Sequence, residues 1–185
     1  MQKTIIVCGP SGVGKGTIIK KVLENTELNL SLSKSITTRP QRLGDDLEGR
    51  YIFVSEEVFM IMVNSSDIVE WNEYQGYHYG TSRSEIEIIH SLGLHAIKDV
   101  DVNGHRNLRN KLENILSIFI AAPISEIEKR LHQRGANTLP EIRARLQIAE
   151  SEMLCSREFN FVVQNREDRL IDAIKEVTRI IRENT

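Results

Sequence analysis

Short apolar runs alternate with segments of helical periodicity along the chain. The run KTIIVC near the start is largely apolar and precedes a glycine-rich segment, which is typical of a strand buried on both faces of a sheet. The runs LHAIKDV, ILSIFIAA and FNFVVQ predict three more strands, and helical patterns separate them. This alternation predicts an α/β fold in three layers, with a central parallel sheet flanked by helices.

Capping-box spacing, in which a Ser or Thr stands three residues before a Glu, predicts where several helices begin. Gly93 is well placed to end the helix that starts near Ser82. The last helix should bury one stripe of apolar residues spaced four, three and four apart. The capping pairs are Ser82 with Glu85, Ser125 with Glu128 and Thr138 with Glu141, and the stripe is Leu170, Ile174, Val177 and Ile181.

Two segments interrupt the alternation. Residues 31 to about 82 are polar and turn-rich, with short strands and one helix near residues 56–63, and residues 134–138 separate two helices rich in arginine. We expect both to rise from the carboxyl edge of the sheet, where ligands bind in open α/β folds. They would be lobes of a single domain, residues 1–185, with a core of 1–30, 93–125 and 155–185, a lobe of about 31–92 and a small helical lid of about 126–154.

Several apolar and thiol residues predict packing rather than chemistry. Cys8 lies in an apolar strand, where a small buried thiol is expected. Cys8 and Cys155 lie far apart in the sequence, and two cysteines in this arrangement make neither a metal motif nor a disulfide framework. In the helix near residues 56–63, the near-helical spacing of four apolar residues predicts the core of the lobe, namely Val58, Phe59, Met62 and Val63.

Composition favours a globular chain with a balanced charge. Hydrophobic residues make up 40% and charged residues 27% of 185, enough for one domain with a substantial core. The net charge of −2 is not that of a polyanion-binding protein, so we expect no nucleic-acid partner, and phosphate binding must depend on local clusters of Arg and Lys. Since no signal peptide or long apolar stretch is present, we expect a cytoplasmic protein without a membrane partner.

The segment GPSGVGKGT, residues 9–17, has the G-x-x-x-x-G-K spacing of a phosphate-binding loop. It lies between the first strand and a helix expected at about residues 15–24, so backbone N–H groups and the helix N-terminus would face phosphate oxygens. Lys15 would reach the β and γ phosphates. One position does not fit, because Gly16 follows the lysine where a Ser or Thr usually helps to hold Mg²⁺, and Thr17 comes one place later. The alternative is a glycine-rich turn with a surface lysine.

A second set of anion-binding side chains lies in the segment that interrupts the alternation. Guanidinium groups bind phosphate through two parallel hydrogen bonds, and tyrosine hydroxyls add further donors. Four such residues could therefore hold a second phosphate group, separate from the one at Lys15. They are Arg39, Arg42, Tyr51 and Tyr79.

With these motifs in view, the sequence strongly resembles guanylate kinase, a nucleoside monophosphate kinase with a P-loop fold, and the resemblance runs nearly end to end. It includes GPSGVGKG, S-x-TTR-x-x-R-x-G, EW, YGTS, DVDVNG, RL-x-x-RG, RARL and VVQN, whose order and spacing are highly specific. The resemblance implies a core sheet with a GMP-binding lobe and a mobile lid. It also implies phosphorylation of GMP to GDP, with ATP as donor and Mg²⁺ as cofactor. We expect a monomer or a homodimer.

The resemblance implies roles for individual residues. ATP would contact Gly9, Pro10, Ser11, Gly12, Val13, Gly14, Lys15, Gly16 and Thr17, with Asn165 near its base. The GMP phosphate would contact Arg39, Arg42, Tyr51 and Tyr79, and the guanine Ser35, Glu70 and Thr81, with Asp101 also near GMP. The catalytic cations would be Lys15, Arg42, Arg134 and Arg145, and Thr17 and Asp99 would serve the metal through water.

Glu70 has a physical reason to select guanine. Guanine carries two adjacent donors, N1–H and the 2-amino group, and one carboxylate can accept from both. Adenine has an acceptor at N1, so the same carboxylate would face a lone pair, which should reject adenine by roughly 10⁴-fold or more. The alternative for Glu70 is a solvated position at a strand end beside Trp71.

The chain departs from the family pattern at four points. Gly16 replaces the usual Ser or Thr, and Gln41 stands where a Pro is usual. The segment EGRY replaces Gly-x-Asp-Tyr, so an acidic residue is missing beside Tyr51. Lys98 interrupts a strand that is usually apolar. These departures affect the expected loop geometry of the lobe more than the expected function.

Two other functions fit parts of the pattern. A ribose 1,5-bisphosphate phosphokinase would have a similar loop and lid but a sugar-phosphate substrate. The intact TTR-x-x-R segment, together with Glu70 and Thr81, favours a purine monophosphate instead. A non-catalytic guanylate-kinase-like interaction module would typically lack the phosphate loop and the lid arginines, which this chain keeps.

Overall fold

Five parallel strands form a central sheet, and four more form a second sheet in the lobe. The computed structural model describes residues 1–41, 49–74, 76–133 and 138–185. Its strands are β1 (Thr4–Cys8), β2 (Leu30–Leu32), β3 (Ser35–Thr37), β4 (Tyr51–Phe53), β5 (Ile68–Tyr74), β6 (Tyr77–Ser82), β7 (His95–Asp99), β8 (Ile115–Ala121) and β9 (Phe161–Gln164). Its helices are α1 (Lys15–Leu23), α2 (Glu56–Asn64), α3 (Arg83–Ser91), α4 (Val102–Lys111), α5 (Ile124–Gln133), α6 (Leu139–Leu154) and α7 (Leu170–Asn184), and short 3₁₀ helices span Thr26–Leu28 and Cys155–Glu158.

The central sheet has the strand order β2-β7-β1-β8-β9, and every neighbouring pair is parallel. Strand β1 lies in the middle, where Ile5 pairs with Ile97 of β7 and with Leu116 of β8. All five residues of β1 are buried, because helices cover both faces of the sheet. The parallel sheet expected from the apolar runs is confirmed.

Successive residues of β1 point to opposite faces and enter different packing clusters. Ile5 and Val7 pack with buried residues of α1 and α7 on one face. On the other face, Ile6 packs with Leu108 of α4, and Cys8 packs with aromatic residues near the end of the sheet. The sheet is therefore the middle of three layers, as its uninterrupted apolar strands predicted.

Most of the predicted helix boundaries hold. The Ser82 hydroxyl accepts from the Glu85 N–H at 3.1 Å and caps α3, and Gly93, with φ of 78°, lies just past the C-cap Leu92. The Glu141 carboxylate accepts from the Thr138 N–H at 2.7 Å at the start of α6. Ser125 was the wrong start for α5.

Helix α5 begins at Ile124, before Ser125, and the N–H groups of Glu126 and Ile127 donate to the Pro123 carbonyl. Proline has φ already near the helical value, so Pro123 starts the helix earlier than the Ser–Glu spacing suggested. In α7, Val177 and Ile181 of the predicted stripe are buried. The other two, Leu170 and Ile174, are half-buried against the same core.

The lobe sheet is mixed, with the order β4-β3-β6-β5. Helix α2 covers it through Phe59, which is fully buried, and through the half-buried Met62 and Val63. Val58 is 43% exposed, so its assignment to the lobe core was wrong. The buried stripe of α2 is centred on Phe59 and Met62. Successive residues of an α-helix are rotated by about 100° around its axis, so Val58, which directly precedes Phe59, faces solvent.

No helix in the part of the chain that the structure describes has both the length and the apolar content to cross a bilayer.

Candidate active site

The phosphate loop connects the carboxyl end of β1 to the first turn of α1, and two of its glycines occupy positions that no side chain could share. Gly9 has φ of 140°, and a Cβ there would lie 2.2 Å from the Ile120 carbonyl oxygen. Gly14 has φ of 100°, and a Cβ there would lie 2.5 Å from Nδ2 of Asn165. Because glycine has no Cβ, the loop can lie this close to Ile120 and Asn165 and can adopt the positive φ values at both positions.

Lys15 is the first residue of α1, and its side chain folds back into this curve. Its ammonium group donates to the Gly9 carbonyl at 2.5 Å and to the Pro10 carbonyl at 3.2 Å. The loop opens on a cleft of about 650 Å³, which Thr17 and Asp99 also border. A cation beside a helix N-terminus suits the binding of phosphate oxygens.

Asn165 and Arg130 support the loop from behind. The Asn165 amide Nδ2 donates to the Val13 carbonyl at 2.7 Å, and Nη1 of Arg130 donates to the same carbonyl at 3.1 Å. Arg130 also bonds the Asn165 carbonyl and pairs with Glu126 at 3.0 Å. Asn165 therefore lies against the loop, on the border of a second cleft of about 420 Å³. Sequence reasoning did not identify Arg130, although its spacing from Glu126 is that of a helical ion pair.

Three lobe strands bring the predicted base-recognition residues together. Thr81 of β6 pairs with Ser35 of β3 on one side and with Glu70 of β5 on the other. The register shifts between Ile68 and Glu70, an irregularity of the kind that redirects a side chain. The Thr81 hydroxyl donates to Glu70 Oε1 at 2.6 Å. Burial raises the pKa of the Glu70 carboxyl, while the Thr81 hydrogen bond and the nearby Lys98 act to lower it.

Lys98 reaches this pocket from the central sheet. It is 3% exposed, and its ammonium group donates to the Ser35 hydroxyl at 2.9 Å. Burial lowers the pKa of Lys98 to about 8, against the opposing effects of Glu70 and Asp99. The sequence marked Lys98 only as an interruption of an apolar strand. A charged residue within an apolar strand does not by itself indicate which pocket its side chain enters.

A cluster of aromatic side chains surrounds Arg39. Its guanidinium lies 5.3 Å from the ring centre of Tyr51 and 5.4 Å from that of Phe53, and Nη1 donates to the Pro40 carbonyl at 2.9 Å. The rings of Tyr51 and Tyr79 meet edge to face at 6.2 Å. Burial, and to a lesser degree Asp99, raises the pKa of the Tyr51 hydroxyl. Three of the four predicted phosphate ligands of the lobe therefore lie together.

Asp99 lies between the two sites. It ends β7 and borders both the cleft at the phosphate loop and the pocket around Glu70. Thr17 borders the first of these and Asp101 the second. Asp101 also caps α4, since its Oδ1 accepts from the Gly104 N–H at 2.7 Å. The cleft at the phosphate loop and the pocket around Glu70 thus have one carboxylate in common, that of Asp99.

Helix α6 contacts the phosphate loop through Arg145. Nη1 of Arg145, in α6, donates to the Ser11 hydroxyl at 2.9 Å. This bond brings one predicted catalytic arginine to the loop. The other two, Arg42 and Arg134, lie outside the described residues.

Arg50 is a site residue that sequence reasoning did not name. It directly precedes β4, and it borders the cleft at the phosphate loop together with Lys15 and Gly16. The EGRY segment was noted for its missing acidic residue, but the arginine that replaces it was given no role. The approach of Arg50 to the loop depends on how the lobe sits over α1, which no local pattern specifies.

The fold and this pair of clefts define a class of protein, the P-loop phosphotransferases in which an inserted lobe faces the phosphate loop. A family model described as guanylate kinase matches residues 1–184, and the chain belongs to the guanylate kinase family.

Individual relatives agree with the family match. The chain is 36% identical over 183 residues to a guanylate kinase of Prochlorococcus marinus subsp. pastoris, covering 98% of each protein. It is 35% identical to the guanylate kinase of Thermotoga maritima, covering 96% of this chain and 84% of the relative. The crystal structure of guanylate kinase from Anaplasma phagocytophilum superposes with a TM-score of 0.75 at 27% identity, covering 100% of this chain and 87% of the other.

These matches confirm the predicted family and the predicted α/β fold with its central parallel sheet. The chain is therefore an enzyme, a phosphotransferase. The reaction of its family is the ATP-dependent phosphorylation of GMP to GDP.

Proposed function

We propose that this chain transfers the γ-phosphoryl group of ATP, bound in the cleft at the phosphate loop, to GMP, bound in the pocket around Glu70. The observation that carries the proposal is that Asp99 borders both of these pockets, so that they lie side by side. Phosphoryl transfer requires the attacking and leaving oxygens to lie roughly in line, so the two substrates must meet in one cleft.

The ATP triphosphate would bind at residues 9–17. The N–H groups of the loop and the N-terminus of α1 favour anions, and Lys15 adds a full positive charge. Its short bond to the Gly9 carbonyl keeps this charge inside the curve of the loop. Asn165 and Arg130 hold the loop in shape through the Val13 carbonyl, so its donors would need little rearrangement when ATP arrives.

GMP would bind in the lobe. Arg39, Tyr51 and Tyr79 would hold its phosphate with Arg42, and Glu70 would accept from N1–H and the 2-amino group of guanine. The bond from Thr81 fixes one oxygen of Glu70, which orients the carboxylate for the base. Asp101 lies near the GMP side of the pocket and supports it by capping α4.

The protein has little covalent chemistry to perform. The phosphate oxygen of GMP is already ionised, so no strong base is needed. The positive charges of Lys15, Arg42, Arg134 and Arg145 would stabilise the charge that spreads over the moving group. Arg145 contacts the loop through Ser11, which supports its assignment as one of these catalytic cations.

Magnesium fits the cleft because the Thr17 hydroxyl and the Asp99 carboxylate both border it with Lys15. Mg²⁺ prefers oxygen ligands and usually keeps several of its waters. When bound, it would neutralise part of the charge on the ATP phosphates. Since Gly16 offers no hydroxyl, we infer that Thr17 and Asp99 act on these waters rather than on the ion directly.

A coupled assay with ATP tests the substrate assignment. We expect GMP to be used far more efficiently than AMP, UMP or ribose 1,5-bisphosphate. A preference for the sugar phosphate would overturn the proposal. The cytoplasmic location and the monomeric or homodimeric state stay predictions of the sequence.

Two variants test the assignment of the two sites. Lys15→Met should weaken ATP binding and reduce kcat, whereas Tyr79→Phe should raise KM for GMP and leave ATP binding intact. Lys175→Met removes an exposed lysine from α7 and is the matched control for lost charge. Equal effects of Tyr79→Phe on both substrates would contradict the two-site arrangement.

A further inference from the structure

Lys98 is the most unusual group in the base pocket. Its strand is otherwise buried and apolar at this point, yet Lys98, a charged residue, is only 3% exposed. Burying a charge is costly unless partners compensate for it. The carboxylates of Glu70 and Asp99 supply opposite charge nearby. The lysine therefore belongs to a polar group of residues built into the floor of the pocket.

The hydrogen bond of Lys98 has only one possible direction. An ammonium group has three donors and no acceptor, so the Ser35 oxygen must accept in the 2.9 Å bond. Among the described residues, Ser35 is the one hydrogen-bond partner of the Lys98 side chain. A hydroxyl that accepts from lysine still has one O–H to donate. Because Ser35 lines the pocket around Glu70, this O–H is available to an occupant of that pocket.

The ligand atom that suits this donor is an oxygen. Guanine carries a carbonyl oxygen at C6, which accepts hydrogen bonds. Adenine carries an amino group there, which donates. A fixed O–H would oppose that amino group, and the remaining N–H groups of Lys98 would add positive charge in the same direction.

We propose that Lys98 is a positioning residue that fixes the Ser35 hydroxyl as a donor and so selects purines with an oxygen at C6. The proposal deepens the proposed function, since it rests on this pocket receiving the base of GMP. It also separates two parts of base recognition. Glu70 reads N1–H and the 2-amino group, whereas the Lys98–Ser35 pair reads the substituent at C6.

Two analogues distinguish these two parts. 6-Thioguanosine monophosphate replaces the C6 oxygen by sulfur, a weaker acceptor, and IMP keeps that oxygen but lacks the 2-amino group. The first ratio is kcat/KM for GMP divided by kcat/KM for 6-thioguanosine monophosphate. The second ratio is kcat/KM for GMP divided by kcat/KM for IMP. Changes in KM and kcat are recorded separately.

In Lys98→Met, we expect the first ratio to fall about fivefold to tenfold, through KM, because the Ser35 hydroxyl can then rotate. The second ratio should change less than about threefold, since Glu70 remains. Ser35→Ala should lower the first ratio equally, and adding Lys98→Met to it should lower the ratio no further. Lys34→Met removes an exposed neighbouring charge and should leave both ratios unchanged.

An unchanged first ratio in Lys98→Met would overturn the proposal, as would an additive loss in the double variant. Should Lys98→Met not fold, Lys98→Gln replaces it. An amide can accept as well as donate, so it should lower the first ratio in the same way. Glu70→Gln is measured in the same assay. If it does not alter the ratio of GMP to IMP, the pocket assignment itself is wrong, which is a different failure.

Discussion

A Cβ added at Gly16 would lie 3.1 Å from one guanidinium nitrogen of Arg50 and 3.3 Å from the other. Two positions at which this chain differs from the guanylate kinase pattern are therefore adjacent in the structure. Gly16 stands where a hydroxyl residue is usual, and Arg50 belongs to the EGRY segment, where the family has Gly-x-Asp-Tyr. The absence of a side chain at Gly16 lets a cation from the lobe approach the first turn of α1.

This contact predicts that residues 16 and 50 are coupled in magnesium use. In Gly16→Ser, the new hydroxyl must share its space with the Arg50 guanidinium, so its access to the metal is limited. In Gly16→Ser with Arg50→Ala, the hydroxyl is unobstructed, and the concentration of Mg²⁺ that gives half-maximal activity should be the lowest of the four proteins. Titration of Mg²⁺ at fixed ATP measures it.

Arg50→Ala alone is the control for the loss of charge. An identical magnesium requirement in all four proteins would argue against the inference that the metal lacks a direct ligand at residue 16. Purely additive effects would show that the two residues act independently.

Glu70→Gln should damage GMP use far more than ATP binding. The amide still accepts from Thr81 but replaces one acceptor by a donor facing guanine, so kcat/KM for GMP should fall roughly 10²-fold. Binding of a fluorescent ATP analogue should stay within about twofold of the unmodified protein. An equal loss of GMP use and of ATP-analogue binding would indicate misfolding or a misassigned pocket.

Gly9→Ala and Gly93→Ala form a matched pair for stability. Both glycines have positive φ, so either substitution incurs backbone strain of about 1–2 kcal/mol. A Cβ at Gly9 would also overlap the Ile120 carbonyl oxygen, whereas at Gly93 no heavy atom of the described residues lies within 4 Å of the Cβ position, apart from the glycine's own chain neighbours. Gly9→Ala should therefore lower the free energy of unfolding by about 2–3 kcal/mol more than Gly93→Ala, as measured in urea. Similar losses would mean that the loop moves away from the sheet at little cost.

The two cysteines should differ sharply in thiol reactivity. Burial raises the pKa of the Cys8 thiol from its ordinary value of 9.0 to about 12, and Cys155 is half-buried. A raised thiol pKa means less thiolate, so at pH 8 Cys8 should carry about 10³-fold less of the reactive form than an ordinary cysteine. In Cys155→Ser, a thiol reagent should label the native protein very slowly and the urea-unfolded protein at once. Fast native labelling would contradict the buried placement of Cys8.

Much of the fold follows from local patterns that need no tertiary context. Strands buried on both faces are apolar throughout, which is why β1 and β8 could be predicted as members of a parallel sheet. The phosphate loop could be predicted too, because its glycines and Lys15 stand at fixed spacing between a strand and a helix. Local patterns failed where two signals competed, as at Ser125, where Pro123 starts the helix first.

Other features depend on contacts between residues far apart in the chain. Val58 fits the apolar spacing of α2, but the side of the helix that faces the lobe sheet is decided by packing. From the sequence, Lys98 is an unexplained charged residue in an apolar strand. The fold explains it, because β3 places the Ser35 hydroxyl within hydrogen-bond distance of its ammonium group. Arg50 was unassigned because only the position of the lobe over α1 sets it beside Gly16.

The sequence by itself determined the family, the order of strands and helices, and the residue types able to bind phosphate and guanine. Periodicity, turn chemistry and motif spacing are local properties of a chain, so they can be read directly. Only the tertiary structure decided that Asp99 borders both clefts, that Lys98 donates to Ser35 and that Arg50 occupies the space beside Gly16. Those relationships depend on how strands from different parts of the chain align, and residues dozens of positions apart carry no local signal of their contact.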